Sequence, residues 1–127
     1  MSGPARAGLF IYAVDMVRVA RFYQELAGMQ VMHQREDLMV LQSDDIQLLV
    51  HKIPDEIAVG MEICSPPKRR EHSALKFFFT VDSLADARTA AAKLGGEVRG
   101  ETWDGPGFVA CNAIDPEGNV VQLRESV

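Results

Sequence analysis

The chain has 127 residues, 47% hydrophobic and 24% charged, the composition of a soluble globular protein long enough for one domain with a real core. Its formal net charge of −5 argues against a nucleic-acid partner, which needs clustered Lys and Arg. No apolar run approaches the ~18 residues of a membrane span, MSGPARAG lacks the apolar stretch of a signal peptide, and Cys64 and Cys111, without metal or disulfide spacing, fit a reduced, cytoplasmic setting as buried thiols.

In chain order, LFIYAV (9–14) is a short β-rich run. Asp15 caps a helix whose apolar stripe is Met16, Val19, Ala20, Tyr23, Leu26 and Ala27, and Gly28 ends it. QVMHQRED, LMVLQSDD and IQLLVHKI follow as three strands with Asp-rich turns. Residues 54–74 connect, with Pro54, Pro66 and Pro67 breaking regular structure. LKFFFTV (75–81) is again a strand. Ser83 caps a second helix, with Asp86 at the third position in a shortened capping box. Leu84, Ala87, Ala91 and Leu94 form its stripe, and Gly95-Gly96 stop it. EVRGETW, FVACNAI and NVVQLRE complete three more strands.

This is one β-α-β-β-β unit written twice. An offset of 68 residues (83 − 15) lays Asp15 on Ser83, Met16 on Leu84, Val19 on Ala87, Leu26 on Leu94 and Gly28 on Gly96. The pattern predicts an α+β domain with module one at 8–53, a linker at 54–74 and module two at 75–125. Each helix covers one face of its module, and the modules form a curved mixed sheet around a cavity. Strand alternation assigns the faces. Leu9, Ile11 and Ala13 face the first helix; Gly8, Phe10 and Tyr12 face the cavity. Leu75, Phe77, Phe79 and Val81 go to the second helix; Lys76, Phe78 and Thr80 to the cavity. Val121 and Leu123 are core, while Val120, Gln122 and Arg124 face the cavity, as do Gln47, Leu49 and His51.

The paired units, with VDMVRVARFYQELAGM, VDSLADARTAAAKLGG and DPEGNVVQLRE, resemble the vicinal oxygen chelate superfamily over roughly residues 8–125. That group includes glyoxalase I, extradiol dioxygenases, fosfomycin-resistance enzymes and bleomycin-resistance binding proteins, so the resemblance specifies a fold more than an activity. Its metal enzymes take His, Glu or Gln ligands from an early position on the first strand of each unit and one on the last strand. The resemblance assigns Gly8 and Lys76 to the first-strand places, Gln47 and Gln122 to the last-strand ones. A residue without a side chain, an ammonium and two amides do not make a divalent-cation site.

The expectation is therefore no metal and no cofactor. A small organic molecule would sit in an aromatic-lined cavity built from Phe10, Tyr12, Gln47, His51, Lys76, Phe78, Trp103, Phe108 and Gln122, with Lys76 its central cation. Trp103 stands in the loop-rich stretch ETWDGPG, where a core Trp would be unusual. The plainer readings are a solvent-facing Lys76, an ordinary polar Gln122, and aromatics in the core or a dimer interface. PPKRRE (66–71) reads as a solvated linker or a guide for an anion toward Lys76. The rival function is a metal-dependent glyoxalase-like lyase or dioxygenase with displaced ligands among His33, His51 and Glu62. A third is a dimeric interaction module with a vestigial cavity. The apolar stretch EIAVGMEI (56–63) is expected to supply a homodimer interface. No nucleophile elbow, phosphate loop or paired acidic constellation names a catalytic residue.

Overall fold

The computed structural model describes residues 4–127. The elements are β1 (Gly8–Ala13), α1 (Met16–Leu26), β2 (Gln30–Arg35), β3 (Leu38–Gln42), β4 (Gln47–Lys52), α2 (Asp55–Ala58), β5 (Phe78–Thr80), α3 (Leu84–Lys93), β6 (Glu97–Gly105), β7 (Phe108–Ile114) and β8 (Val120–Ser126). They form two four-stranded sheets, ordered β1-β4-β3-β2 and β5-β8-β7-β6. In each, the first strand runs parallel to the last and the other pairs are antiparallel. The sequence repeat is thus a repeat of topology. The expected curved sheet is divided into two separate ladders.

Local chemistry sets the helix limits. The Asp15 side chain accepts the Arg18 N–H at 3.2 Å, and Ser83 Oγ accepts the Asp86 N–H at 3.1 Å, each filling a free donor of a first turn. Gly28, at φ 63°, carries the chain out of α1 in a conformation that side chains disfavour.

Strand alternation then decides the core. Ile11, Ala13, Leu48, Val50, Val121 and Leu123 are buried, together with Val19, Ala20 and Tyr23 of α1 and Leu84, Ala87 and Ala91 of α3, in one continuous cluster. Phe22, which the helical stripe omitted, is fully buried too, its ring edge-on to Tyr23 at 5.1 Å. It leans on Gly96, where any Cβ would collide with the Phe22 ring and lie 2.6 Å from the Ile114 carbonyl oxygen.

Three expectations need correction. The strand expected over 75–81 is only Phe78–Thr80, and Leu75 is 76% exposed rather than core. Lys76 precedes the ladder; Phe77, half-buried, reaches it only through its carbonyl, which accepts the Gln122 N–H at 3.0 Å. The linker contains the short helix α2. ETWDGPG is largely strand: β6 runs through Trp103, which pairs with Ala110 after a bulge between Val98 and Thr102.

The turn Asp115–Asn119 joins the halves. Asp115 is fully buried and accepts the Tyr23 hydroxyl at 2.8 Å, the Glu117 and Asn119 N–H groups at 2.9 and 3.0 Å, and Asn119 Nδ2 at 2.8 Å. Glu117, also buried, accepts the Val14 and Asp15 N–H groups at 2.8 and 2.6 Å, holding the entry to α1. Burial, reinforced by the Asp115 charge, pushes the Tyr23 hydroxyl well above its ordinary range, so it stays a donor.

Candidate functional site

Alternation leaves the second face of each sheet without a helix, and most of the expected site residues stand there. On the first sheet, Phe10 and Tyr12 are 55% and 59% exposed, with rings stacked at 6.2 Å and 17°. The Tyr12 ring lies 5.8 Å from His51 across the parallel pair of β1 and β4. His51 Nδ1 is 2.9 Å from the Lys52 carbonyl oxygen, and Gln47 Nε2 donates to Gln42 Oε1 at 3.4 Å.

The second sheet carries a denser arrangement. The Arg124 guanidinium lies 3.6 Å from the centre of the Phe78 ring and 4.2 Å from that of Phe108, and its Nε donates to Gln122 Oε1 at 2.6 Å. Cross-strand pairing places these groups: Phe78 is opposite Gln122, and both Thr80 and Ala110 are opposite Arg124. Lys76 Nζ donates to Asn112 Oδ1 at 3.0 Å and stands 5.9 Å from the Trp103 ring centre. Trp103 lines a cavity of about 340 Å³ with Arg69, Glu97, Arg99, Gly100, Glu101 and Asn112.

The structure therefore gathers the expected residues into two groups: Phe10, Tyr12 and His51 with nearby Gln47, and Lys76, Phe78, Trp103, Phe108 and Gln122. Phe10, Tyr12 and Phe78 are each more than half exposed, so they line open sheet faces rather than an enclosed pocket. Arg124, put on the cavity face by alternation but left out of the expected site, and Asn112, which was not anticipated, belong to the second group. The signal for Arg124 was already present, since it shares the parity of Gln122. Lys76, exposed and outside the strand, is the peripheral cation and Arg124 the central one.

Register also corrects one member of the expected ligand set. Phe10 lies five residues before Asp15 and pairs with Leu49; Phe78 lies five before Ser83 and pairs with Gln122. Leu49, not Gln47, is thus the first-sheet counterpart of Gln122, and Gln47 pairs with Gly8. The four places read Gly8, Leu49, Lys76 and Gln122, and the one remaining oxygen donor already accepts from Arg124. This set does not fit a divalent cation.

The displaced set is not assembled either. His33 is exposed on β2, and Glu62 lies in the segment after α2, accepting from Cys64 Sγ at 3.9 Å. Among the described residues, no three His, Cys, Asp or Glu side chains come together to hold a metal. Cys111 is buried, and burial pushes its thiol up, away from the nucleophilic thiolate; Cys64 is only half-buried, against expectation.

A family model described as a glyoxalase-like domain matches residues 8–124. Among solved structures, the chain is similar to a glyoxalase/bleomycin resistance protein/dioxygenase family enzyme from Burkholderia phytofirmans PsJN, with TM-score 0.71 and 15% identity over 95% of this chain and 98% of that one. It is also similar to the fosfomycin resistance protein FosX from Mesorhizobium loti, with TM-score 0.65 and 14% identity over 100% and 95% of the two chains. A bleomycin resistance determinant encoded on the transposon Tn5 gives TM-score 0.61 and 19% identity over 97% and 98%. No curated protein matches. At these identities the structural likeness establishes the fold.

Proposed function

The chain belongs to the glyoxalase-like domain family, within the vicinal oxygen chelate superfamily, and we propose that it is a small-molecule binder that works without a metal, holding an organic ligand against the aromatic faces of its sheets. The observation that carries this reading is Arg124, stacked between Phe78 and Phe108 and hydrogen-bonded to Gln122. A cation stands beside the place where metal-dependent relatives would need an acceptor, and the surrounding rings offer stacking area. A few polar groups set among aromatic rings can orient a flat organic molecule. Phe10, Tyr12 and His51, with Gln47 at the edge, would contact the ligand from the first sheet, and Trp103, Lys76 and Gln122 from the second.

Trp103 is the sole tryptophan, so its fluorescence reports on this face directly. A screen of aromatic metabolites should yield ligands that quench it. Trp103→Ala should weaken their binding about fivefold to tenfold, the worth of one aromatic contact. Full affinity in that variant, read by calorimetry, would place the ligand elsewhere.

The same reading implies a homodimer. Ile57, Val59 and Met61, in and just after α2, are 58%, 87% and 39% exposed, and the open aromatic faces need a cover. Sedimentation should give twice the chain mass at micromolar concentration. A monomer mass at every concentration would contradict this. No helix among the described residues is long and apolar enough to cross a membrane. A cytoplasmic setting, with both cysteines reduced, completes the proposal.

A further inference from the structure

We propose that the ligand of this face is an organic anion, with its acidic group taken by the Arg124 guanidinium and its flat apolar part laid on the neighbouring rings. This rests on the reading of the face as a ligand site and adds the charge of what binds there.

The argument starts from what Arg124 has left to offer. A guanidinium has five N–H donors in one plane. Phe78 and Phe108 approach at 3.6 and 4.2 Å from its carbon, and Gln122 accepts from Nε. These contacts orient the group and remove water from it, yet none neutralises it. Among the described residues the terminal nitrogens take no hydrogen-bond partner, and they form a fork whose geometry matches the two oxygens of a carboxylate, sulfonate or phosphate.

Lys76 repeats the pattern, since its hydrogen-bond acceptor is the Asn112 amide oxygen at 3.0 Å. Both cations are thus aimed by neutral amides. This is unusual in a chain with 18 acidic and 13 basic residues, where carboxylates are plentiful. The ion pairs among the described residues are Arg35–Asp37, Lys52–Asp55 and Arg99–Glu97, and neither Arg124 nor Lys76 takes part. Two uncompensated cations on one aromatic face give it a positive field that attracts an anion and repels a cation. Of the nearby carboxylates, Glu97 is paired with Arg99 at 3.5 Å; Glu101 lines the Trp103 cavity, where Arg69 and Arg99 offset it; and Glu125 accepts the Leu84 N–H at the start of α3.

The test uses two probes that differ only in charge: anilinonaphthalene sulfonate, and phenylnaphthylamine, the same molecule without its sulfonate. Both accept excitation energy from a nearby tryptophan, so emission excited through Trp103 reports binding at this face. The sulfonate should bind at least tenfold more tightly, and added salt should weaken it alone. Arg124→Gln should remove most of the difference between the two probes. Lys76→Ala, a change at an exposed position outside the strand, should reduce the difference in part; this variant and the salt titration still decide the matter should Arg124→Gln unfold. Equal affinity for the two probes, with neither salt nor Lys76→Ala separating them, would overturn the anion proposal but keep the face as a ligand site. Failure of both probes to bind would overturn both.

Discussion

Asp115→Ala should destabilise the protein by about 3–5 kcal/mol, because it deprives several buried donors of their acceptor at once. The Tyr23 hydroxyl, the Glu117 and Asn119 N–H groups and Asn119 Nδ2 all donate to this one carboxylate, which is fully buried. Tyr23→Phe should be much milder, about 1–2 kcal/mol, since Asp115 keeps its other donors. Urea denaturation would measure both. A loss under 1 kcal/mol for Asp115→Ala would mean that the turn does not hold the halves together.

The same network predicts alkaline behaviour. Burial raises the Tyr23 hydroxyl in the folded state above its unfolded value near 10.0. Its contribution is therefore complete below pH ~10 and is lost as the pH climbs from there toward the folded value, because the unfolded chain ionises first. Thermal melts above pH ~10 should fall less steeply for Tyr23→Phe than for the wild type.

The second large effect separates two neighbours. Phe79→Ala should destabilise by about 3–5 kcal/mol, the usual result of emptying an aromatic site in a core. Phe79 is 9% exposed, with ring centres 6.0 Å from Tyr23 and 5.4 Å from Phe77. Phe78→Ala removes a ring that is 52% exposed, so folding should change little. That substitution should instead free one face of Arg124 and weaken ligand binding. Equal destabilisation by the two variants would show that the register of β5 is wrong, and the face assignments of Gln122 and Arg124 would fall with it.

This contrast also shows where the sequence was legible. Helix caps, apolar stripes and the 68-residue repeat were sufficient to anticipate both modules, because each depends on contacts within a few residues. Alternation correctly put Phe10, Tyr12, Phe78 and Gln122 on the faces away from the helices. It failed at Leu75, because apolar composition suggested a strand where the chain has not yet entered the ladder. Phe22 was missed because its burial comes from the second module, through Gly96, which a single-helix stripe does not register. The role of Arg124 depends on which strands become neighbours: Phe78 and Phe108 lie 46 and 16 residues earlier in the chain and meet at the guanidinium only once β5, β7 and β8 are assembled. Gln47 was paired with Gln122 on the resemblance, and only the pairing register revealed Leu49 in that place.

Ligand binding without a metal is proposed here on the chemistry of Gly8, Leu49, Lys76 and Gln122. The most direct test is elemental analysis of protein purified without chelator, then dialysed against zinc, nickel, manganese or iron and washed. The expected result is far less than one equivalent of each, with a melting temperature that a chelator leaves unchanged, since no metal-binding free energy is linked to folding. One tightly held equivalent of any of them, with a melting temperature that falls on chelation, would contradict it.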